Sequence, residues 1–216
     1  MGKTSNPKMK LCKGFKNIHF APYVNGNFDT PVRIDYGKKI ENKFKYESST
    51  EWAEDMIIDT EFIYNGGEGS LDVKGLSREE QILLFGNKQA KGGVYVTDTD
   101  EAPIGAFLFE RKKKYGHKRL YVVYACKCSP TDVSAEGVED GKGNYETKTI
   151  DYSIGSLEKD GINYIYFFVD TDADDVDSSQ VANWYTQVQF PINPSKSGFN
   201  QVEAKSKSNN VSNKDN

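Results

Sequence analysis

The chain has 216 residues and carries 28 Lys and Arg against 32 Asp and Glu, which gives a formal net charge of −4 at pH 7. This balance argues against the basic surface with which groove-reading DNA-binding proteins meet phosphates. The hydrophobic fraction is only 37%, but 12% of the residues are aromatic, and large rings can supply a modest core. The sequence therefore predicts a folded protein of roughly one or two domains.

No stretch of the sequence approaches the roughly 18 apolar residues of a membrane-spanning helix, so a soluble protein is expected. The first residues are basic but lack an apolar segment of about seven residues, and no secretory signal is predicted. The chain has three cysteines, an odd number that fits a reducing compartment better than a disulfide framework. Synthesis in a cytoplasm is therefore expected.

The chain opens with a predicted β-hairpin. Its strands are residues 15–24 and 28–34, and the Asn25-Gly26 pair between them readily supplies the positive φ angles of a type I′ turn.

Residues 41–59 mix charges with large apolar groups and show no clean period of 2 or 3.6, which predicts a long loop. Its apolar anchors are Trp52, Met56, Ile57 and Ile58. A large apolar side chain on an extended loop is costly to leave in water. Trp52 is therefore expected either to fold back on the core or to dock on a neighbouring molecule, and the sequence leaves both alternatives open.

A short helix is predicted after two strands, at residues 61–64 and 71–74, that flank a Gly-rich kink. Ser77 and Glu80 have the spacing of a capping box, in which the serine accepts from the first turn and the glutamate reaches back to the serine N–H. Gly86 ends the helix. Its apolar face is expected to consist of Ile82, Leu83 and Phe85.

Residues 104–111 and 119–128 predict a second hairpin across a basic turn at 112–118. Alternate residues of a strand share a face, because the side-chain period is two. One face of the second strand is accordingly expected to carry Leu120, Val122, Tyr124, Cys126 and Cys128. The two cysteines lack a metal-ligand spacing and are interpreted as small buried hydrophobic groups, the alternative being an exposed pair prone to oxidation.

Residues 145–156 and 163–169 predict two further strands, joined by a turn at Asp160-Gly161. The second of them is apolar on both faces and is expected to be central or to lie at an interface. The fold class is therefore expected to be mainly β, a β-sandwich or partly closed barrel with one flanking short α-helix.

The composition changes after Pro191, where 15 of the remaining 25 residues are Ser, Asn or Lys. Such a segment lacks the apolar groups needed to form a core. The expected organisation is a flexible arm at residues 1–12, a folded domain at 13–191 and a disordered polar tail at 192–216.

Three local patterns could carry chemistry, and each has a simpler structural explanation. Ser77 lies where a nucleophile elbow would place a serine, but Glu79 replaces the second glycine and the capping box already explains the position. The aspartates of residues 170–174 match part of an EF-hand loop whose turn glycine and bidentate Glu are missing. The basic residues 112–119 are expected to form a solvated turn rather than a phosphate site. No catalytic, metal or cofactor site is predicted.

Four stretches, read in order, resemble a known family. They are GFKNIHFAPY at residues 14–23, GGEGSLDVKGLSREEQILLFG at 66–86, DEAPIGAFLFERKKKYGHKRLYVVYACKC at 100–128 and YETKTIDYSIGS at 145–156. Together they resemble the major tail protein, or tail tube protein, of long non-contractile-tailed bacteriophages (siphophages). The likeness covers about residues 10–190 and rests on the order and spacing of the stretches.

The resemblance implies a structural virion protein rather than an enzyme, without a cofactor. In this family a β-sandwich with a flanking helix forms hexameric rings through edge-to-edge sheet extension, and the rings stack into the tail tube. The long loop after the first hairpin contacts the neighbouring ring. At the matching residues 41–59 of this chain, the candidate contacts between rings or subunits are Trp52, Met56, Ile57 and Ile58.

The implied partners are further copies of the chain and the tape-measure, tail tip and tail terminator proteins, with no membrane. The implied location is the virion tail, assembled in the cytoplasm of the bacterial host. DNA would pass through the lumen without specific binding, and an acidic lumen suits this role because cationic contacts to phosphates bind the duplex. The candidate lumen residues are Glu136, Glu139, Asp140, Glu146 and Asp151.

Two other functions remain open on the sequence alone. The many aromatic residues also suit a carbohydrate- or surface-binding β-sandwich, which would present exposed Trp or Tyr platforms and normally carries an export signal. A hydrolase built on Ser77 would need a base, and the chain has two histidines, His19 and His117.

Overall fold

The structure, a computed structural model, describes residues 10–53, 55–130, 132–133 and 145–194. Within these residues the protein is mainly β, as the sequence predicts. In chain order the elements are β1 (Lys13–Val24), β2 (Asn27–Phe28), β3 (Val32–Arg33), β4 (Gly37–Ala53), β5 (Met56–Val73), α1 (Arg78–Phe85), β6 (Lys88–Ala90), β7 (Gly93–Tyr95), β8 (Ile104–Lys112), β9 (Lys118–Cys128), β10 (Lys148–Ile154), β11 (Leu157–Lys159), β12 (Ile162–Tyr164), β13 (Tyr166–Asp170) and α2 (Ser178–Ala182).

The largest sheet has nine strands in the order β2-β1-β8-β9-β10-β5-β4, with β3 paired to β1 and β13 paired to β9. Two small hairpins, β6 with β7 and β11 with β12, lie outside it. The large sheet curls until Gly37 at the start of β4 packs against the Ile18 side chain of β1. Its ends do not hydrogen-bond into a closed barrel within the described ranges, so the fold is sandwich-like and open.

One extra residue in β9 directs the two halves of this strand to different cores. Ala125 has a φ of 48°, and β8 pairs Gly105 with Cys126 but Phe107 with Val123, which marks a bulge. An inserted residue reverses the alternation of faces. The prediction of one shared face is therefore wrong. Leu120, Val122 and Tyr124 belong to one core, and Cys126 and Cys128 belong to the other.

Each face of the central strands β1, β8 and β9 covers a hydrophobic core. The first core lies inside the curl of the sheet, where the Phe107 ring packs 4.9 Å from Phe20 and 4.6 Å from Tyr152 between centroids. The second core surrounds Trp184, a fully buried side chain contributed by the segment after α2. Phe167 of β13 packs against this indole at 5.8 Å between ring centroids.

The opening hairpin has the predicted turn but a broken second strand. Asn25 and Gly26 both have positive φ angles, 51° and 82°, as a type I′ turn requires. The predicted strand at 28–34 consists instead of β2 and β3, which pair with different parts of β1. Pro31 lies between them and has no N–H to donate to a ladder, which explains the interruption.

Helix α1 has the predicted caps. The Ser77 hydroxyl accepts from the Glu80 N–H at 3.1 Å, and the Glu80 carboxylate accepts from the Ser77 N–H at 2.7 Å. Gly86 ends the helix in the left-handed region with a φ of 68°. Of the predicted apolar face, Phe85 is buried, whereas Ile82 and Leu83 are only half-buried. Leu84, which the prediction left out, is also buried. The other Glu80 carboxylate oxygen accepts from the Asp35 N–H at 3.0 Å and fixes the rotation of the helix.

The last strand, β13, lies at an edge of the large sheet. The predicted strand at 145–156 contains β10 and ends before β11, and Asp160-Gly161 forms the predicted turn, which joins β11 to β12, with φ angles of 55° and 74°. Among the described strands β13 pairs with β9 alone, and its Tyr166 and Phe168 are 44% and 41% exposed. The strand is therefore not central in the monomer.

Residues 41–59 are not a loop, which corrects the prediction. They belong to a long hairpin in which β4 and β5 pair from Gly37 opposite Val73 to Ala53 opposite Met56. The predicted strand at 61–64 and the Gly-rich kink are parts of β5, and the kink is a bulge in which Gly66 has a φ of 81°. This bulge and a second near the tip interrupt the alternation in β5. In β4 every second residue of the stretch 40–52 is uncharged, but Asn42, Ser48 and Thr50 replace apolar residues on this side, so no apolar period of two is visible.

The bulge at Ala125 yields a stability prediction. We expect Ala125→Val to lower the free energy of unfolding by about 1–3 kcal/mol, because a β-branched residue is strained at positive φ. Ala125→Gly is the control and is expected to be neutral or slightly stabilising, since glycine adopts this conformation freely. Urea unfolding followed by circular dichroism measures both. Equal stability of the Val and Gly variants would contradict the assigned bulge.

Candidate assembly surface

The outer part of the β4–β5 hairpin, residues 46–53 and 55–64, is named the arm. Its tip brings together the four apolar residues that the sequence singled out. Trp52 lies opposite Ile57, and Met56 lies opposite Ala53. The exposed fractions of Trp52, Met56, Ile57 and Ile58 are 64%, 67%, 57% and 65%. Trp52 therefore does not fold back on the core of its own chain. Its role in contacts between copies stays a prediction.

One face of the arm carries no charge. Directly opposed residues of an antiparallel pair lie on the same face, and so do residues two apart on one strand. By this rule one face holds the pairs Tyr46–Tyr64, Ser48–Phe62, Thr50–Thr60 and Trp52–Ile57. Phe62 is 71% exposed, which is more than Tyr46, Trp52 or Ile57 on the same face. We call this surface the uncharged face of the arm.

The opposite face of the arm is acidic. It holds the pairs Glu47–Ile63, Ser49–Glu61 and Glu51–Asp59. These pairs contain carboxylates without a cation, and Glu51 lies directly opposite Asp59. Like charges placed opposite each other destabilise a strand pair. The arm is therefore an amphipathic ribbon that presents hydrophobic rings on one side and negative charge on the other.

The uncharged face continues the core side of the sheet. At the base of the hairpin, Ile40 and Phe44 pack against the first core, and Phe44 stacks on Tyr166 at 5.0 Å between centroids. Tyr46 is the next residue of β4 on this side. Its partner Tyr64 packs 5.5 Å away between ring centroids and donates a hydrogen bond to the Ile154 carbonyl at 2.9 Å. An uncharged surface thus runs from the core to the tip, with aromatic and aliphatic side chains at both ends and Ser48, Thr50 and Thr60 between them.

Sequence reasoning missed Tyr46, Phe62 and Ile63, which are 52%, 71% and 57% exposed. A signal was present in β4, where residues 46, 48, 50 and 52 are uncharged and alternate with Glu47 and Glu51. A count of apolar residues does not register it, because Ser and Thr occupy the middle of the uncharged face.

Ser77 serves the helix cap rather than a nucleophile site in this structure. Its hydroxyl accepts from the Glu80 N–H, and within the described residues no hydrogen bond joins it to a histidine. His19 stacks instead on Tyr185 at 4.5 Å between centroids. Burial lowers the pKa of His19, a shift that the hydrogen bond with the Asn17 carbonyl partly opposes.

The basic turn and the aspartates contact each other, which the sequence did not predict. Lys113 is only 8% exposed. Its ammonium hydrogen-bonds Asp172 and lies 3.3 Å from an Asp170 carboxylate oxygen. Arg119 donates two hydrogen bonds to Asp170, at 2.6 and 2.7 Å. The expectation of a fully solvated basic turn is thus wrong for Lys113. We name these four residues the ion-pair cluster.

The cluster changes the ionisation of Asp170. Burial alone would raise the pKa of this carboxyl, but hydrogen bonds from Arg119 and the charges of Arg119 and Lys113 outweigh it. The net result is a pKa below the usual value. A group with a lowered pKa in the folded state stabilises the protein above its unfolded pKa and loses that contribution as pH falls through the folded value.

The structure also bears on the cysteines, the metal-binding patterns and the lumen candidates of the sequence. Burial raises the pKa of Cys126 well above its usual value and that of Cys128 to about 12, so both thiols stay protonated near neutral pH. Across the described ranges, no group of three or more His, Cys, Asp or Glu residues is placed to hold a metal ion. In the same ranges, no helix has the length and hydropathy to cross a bilayer. The lumen candidates Glu136, Glu139 and Asp140 lie outside the described residues.

Ser77→Ala tests the cap. We expect a loss of about 1 kcal/mol in the free energy of unfolding, because a helix N-terminal N–H loses its acceptor. Ser77→Asp keeps an acceptor and should be nearly neutral. Thermal and urea unfolding measure the change. A Ser77-dependent hydrolysis of ester substrates, or labelling of Ser77 by a fluorophosphonate probe, would contradict this structural role.

Asp170→Asn tests the cluster. We expect the variant to lose about 1.5–3 kcal/mol at pH 7, the range for hydrogen bonds to charged groups. The wild type should lose this contribution as pH falls below about 4, the usual pKa of an aspartate, and Asp170 becomes protonated, and the variant should lose less stability over the same interval. Urea unfolding at a series of pH values is the measurement, with exposed Asp98→Asn as the control. Parallel pH curves for wild type and Asp170→Asn would contradict the prediction.

Comparison with known proteins gave matches among solved structures alone. No family model matches the sequence, and no curated protein matches it. Nine chains of solved structures match. One is a chain in the cryo-EM structure of the 6-fold symmetrised baseplate of the anti-feeding prophage, with 6% sequence identity and a TM-score of 0.38. The match covers 74% of this chain and 94% of that chain.

Proposed function

We propose that this chain is a structural subunit of a bacteriophage tail and, more specifically, the major tail tube subunit. In this proposal hexameric rings of the chain stack into the hollow tube through which DNA is delivered. The observation that carries the proposal is the arm, whose uncharged face places Tyr46, Trp52, Ile57 and Phe62 in solvent. The resemblance of the sequence to siphophage tail tube proteins supplies the kind of assembly that would cover this face.

The size of the exposed surface favours a protein partner. Complete burial of a large apolar side chain contributes about 1.5–3 kcal/mol. Four such residues of the uncharged face are between 52% and 71% exposed, so covering them would supply on the order of 4–7 kcal/mol per arm before the costs of association. Several arms that dock together gain further by acting as linked contacts. A ring with many arms therefore binds much more tightly than one arm does.

The edges of the sheet favour a partner of the same kind. β4 ends the large sheet, and β13 lies beside β9 with no strand on its other side among the described residues. Such edges present unpaired backbone N–H and C=O groups to any chain that can extend the sheet. A closed ring of identical copies pairs its edges in a repeating way and leaves none exposed. In this proposal the strand edges make the contacts within a ring, and the arm makes the contacts between rings.

The charge balance agrees with a conduit for DNA. The chain has a formal net charge of −4, and a negative surface binds no phosphates through counterion release. Asp151 is exposed on β10 and remains a candidate lumen residue together with Glu146. The proposed tape-measure, tail tip and terminator partners would act at the inside and the two ends of the tube.

A second candidate is a carbohydrate- or surface-binding β-sandwich. The observation that favours it is the same row of exposed rings, because aromatic faces also stack on sugars. The two functions differ in their dependence on concentration, since a binding module stays monomeric and a tube subunit assembles.

The first experiment is negative-stain electron microscopy of the concentrated recombinant chain, combined with light-scattering mass measurement. We expect hexameric rings or hollow tubes, and seeding with phage tail tips should promote them. Monomers at high concentration, with no tubes after seeding, would overturn the assembly function and favour the binding module.

Single substitutions on the arm provide a matched test. We expect Trp52→Ala and Phe62→Ala to abolish tubes or to raise the concentration needed for assembly at least tenfold, because each removes a ring from the uncharged face. The monomer should keep its circular dichroism spectrum and melting temperature, since both side chains are exposed. The control is Ile63→Ala, which removes a 57% exposed side chain from the acidic face. Equal assembly of all three variants would exclude the uncharged face as a contact.

A further inference from the structure

A groove of about 600 Å³ runs along the outer edge of β13. Four consecutive residues of this strand line it: Phe167, Phe168, Val169 and Asp170. Successive side chains of a strand point to opposite faces, so a cavity that meets consecutive residues lies at the edge of the strand rather than over one face. β9 occupies the other edge of β13. We name this cavity the edge groove.

The backbone of β13 presents hydrogen-bonding groups to the edge groove. The Thr171 N–H donates to the Lys118 carbonyl, and the Ile165 carbonyl accepts from β9 as well, so the odd-numbered residues face β9. In an antiparallel pair the N–H and C=O of one residue point to the same side, and that side alternates along the strand. The N–H and C=O of Phe168 therefore point into the edge groove, where no described strand pairs with them. Such an edge accepts an extended segment as one more strand.

The lining of the edge groove is acidic and partly apolar. Its charged members in the described part of the chain are Asp170, Asp175 and Asp177, with no Lys or Arg. Asp170 already pairs with Arg119, which lies outside the lining. Phe168 and Ile192 supply an apolar surface open to solvent, since they are 41% and 56% exposed. The groove therefore suits an extended segment that carries an apolar side chain among positive charges.

The chain leaves the described residues beside this groove. Ile192 and Asn193 line it, and the described residues end at Pro194. Asn193 has a φ of 51°, in the left-handed region, which turns the backbone at this point. Residues 195–216, most of the polar tail that the sequence predicts, are therefore tethered next to the groove. A short tether gives a segment an effective concentration on the order of millimolar at the neighbouring surface.

Residues 195–216 carry the complementary groups. Phe199 is the one aromatic residue of this segment, and Val202 lies three positions further on. The charged side chains are four lysines and two acidic residues, namely Lys196, Lys205, Lys207 and Lys214 against Glu203 and Asp215. Opposite charges attract over roughly 8–10 Å at ordinary ionic strength, so this positive segment is drawn to the acidic groove.

We propose that residues 199–203 bind in the edge groove of their own chain as an additional strand beside β13. Phe199 is the apolar anchor, and it packs against the exposed side chains of Phe168 and Ile192. The four residues 195–198 reverse the chain, because connections of about two to five residues are typical of β-hairpins. Gly198 eases this reversal, since glycine adopts turn conformations freely. The tether favours this groove over that of a second copy.

For assembly the consequence rests on the proposed function. The edge of β13 is one of the edges that neighbouring copies of a ring would pair, so a docked segment competes with ring closure. We therefore expect Phe199→Asp, which removes the anchor and adds a negative charge, to assemble at an at least threefold lower concentration than the wild type. Equal assembly concentrations would overturn this competition.

Hydrogen exchange of backbone amides in the full-length chain tests the docking itself. Mass spectrometry with electron-transfer fragmentation reads the single amides, at a concentration where light scattering gives the mass of one chain. We expect the Phe168 amide of the wild type to exchange at least tenfold more slowly than that of Phe199→Asp, because it donates to the docked segment. The Phe167 and Val169 amides face β9 and should be equally slow in both proteins. Val211→Asp adds the same charge beyond the docked residues and should exchange like the wild type.

Equal exchange of the Phe168 amide in the wild type and in Phe199→Asp would overturn the inference. Protection that grows with protein concentration and does not respond to Phe199→Asp would overturn it too, because a second copy would then occupy the groove. The measurement needs no assembly, so a failure of the docking leaves the tube function standing. A chain that never forms rings or tubes would instead overturn the proposed function and leave the docking to be decided by the exchange rates.

Discussion

The bulge at Ala125 is the constraint on which the rest of the architecture depends. β9 lies at the centre of the large sheet and has to serve two cores on opposite faces. The bulge also marks the place where β9 exchanges one neighbour for another. The backbone N–H of Tyr124 donates to the carbonyl of Ile165, which directly precedes β13. The backbone N–H of Gly155, directly after β10, donates to the Ala125 carbonyl, and both distances are 2.9 Å. Without the extra residue, the strand could not present Tyr124 to one core and Cys126 to the other.

The arm follows from this arrangement. β10 joins the second half of β9 and carries β5 and β4 with it, so the hairpin starts on the core side of the curled sheet. The apolar side of the hairpin is covered by the body as far as Phe44, and Tyr64, opposite Tyr46, still donates a hydrogen bond to the Ile154 carbonyl. Beyond this pair the two strands of the hairpin pair only with each other among the described residues. The alternation that builds the core therefore continues into solvent and produces a surface that the single chain leaves exposed.

Much of the fold could be predicted from local chemistry, and each failure has an identifiable physical cause. The Asn25-Gly26 turn, the helix caps at Ser77 and Gly86 and the hairpin of β8 and β9 depend on residues close in sequence, and the structure has them. The face of Cys126 depends on a bulge, and a bulge changes the register without a strong sequence signal. The hairpin at residues 41–59 was missed because Ser48 and Thr50 replace apolar residues in the alternation of β4 and a bulge near the tip interrupts the alternation of β5. The ion-pair cluster was missed because Lys113 and Asp172 are 59 residues apart, and only the pairing of the strands brings them together.

Of the candidate site, the sequence indicated the tip residues but not the surface to which they belong. Trp52 and Ile57 were recognisable as apolar groups among charges, whereas Phe62 was not, because its place on the uncharged face depends on pairing with Ser48. A register that only the three-dimensional structure defines thus turns scattered rings into one continuous face.

The charges of the protein have two physically different roles. In the ion-pair cluster, Lys113 and Arg119 are paired with aspartates and fix the turn between β8 and β9 against β13. On the arm, the carboxylates lie on one face, and none of them is paired across the hairpin with a Lys or Arg. They favour solubility at a cost in folding stability. Edge-to-edge pairing of two arms would set their acidic faces side by side, and that repulsion opposes the aggregation to which an apolar ribbon is prone.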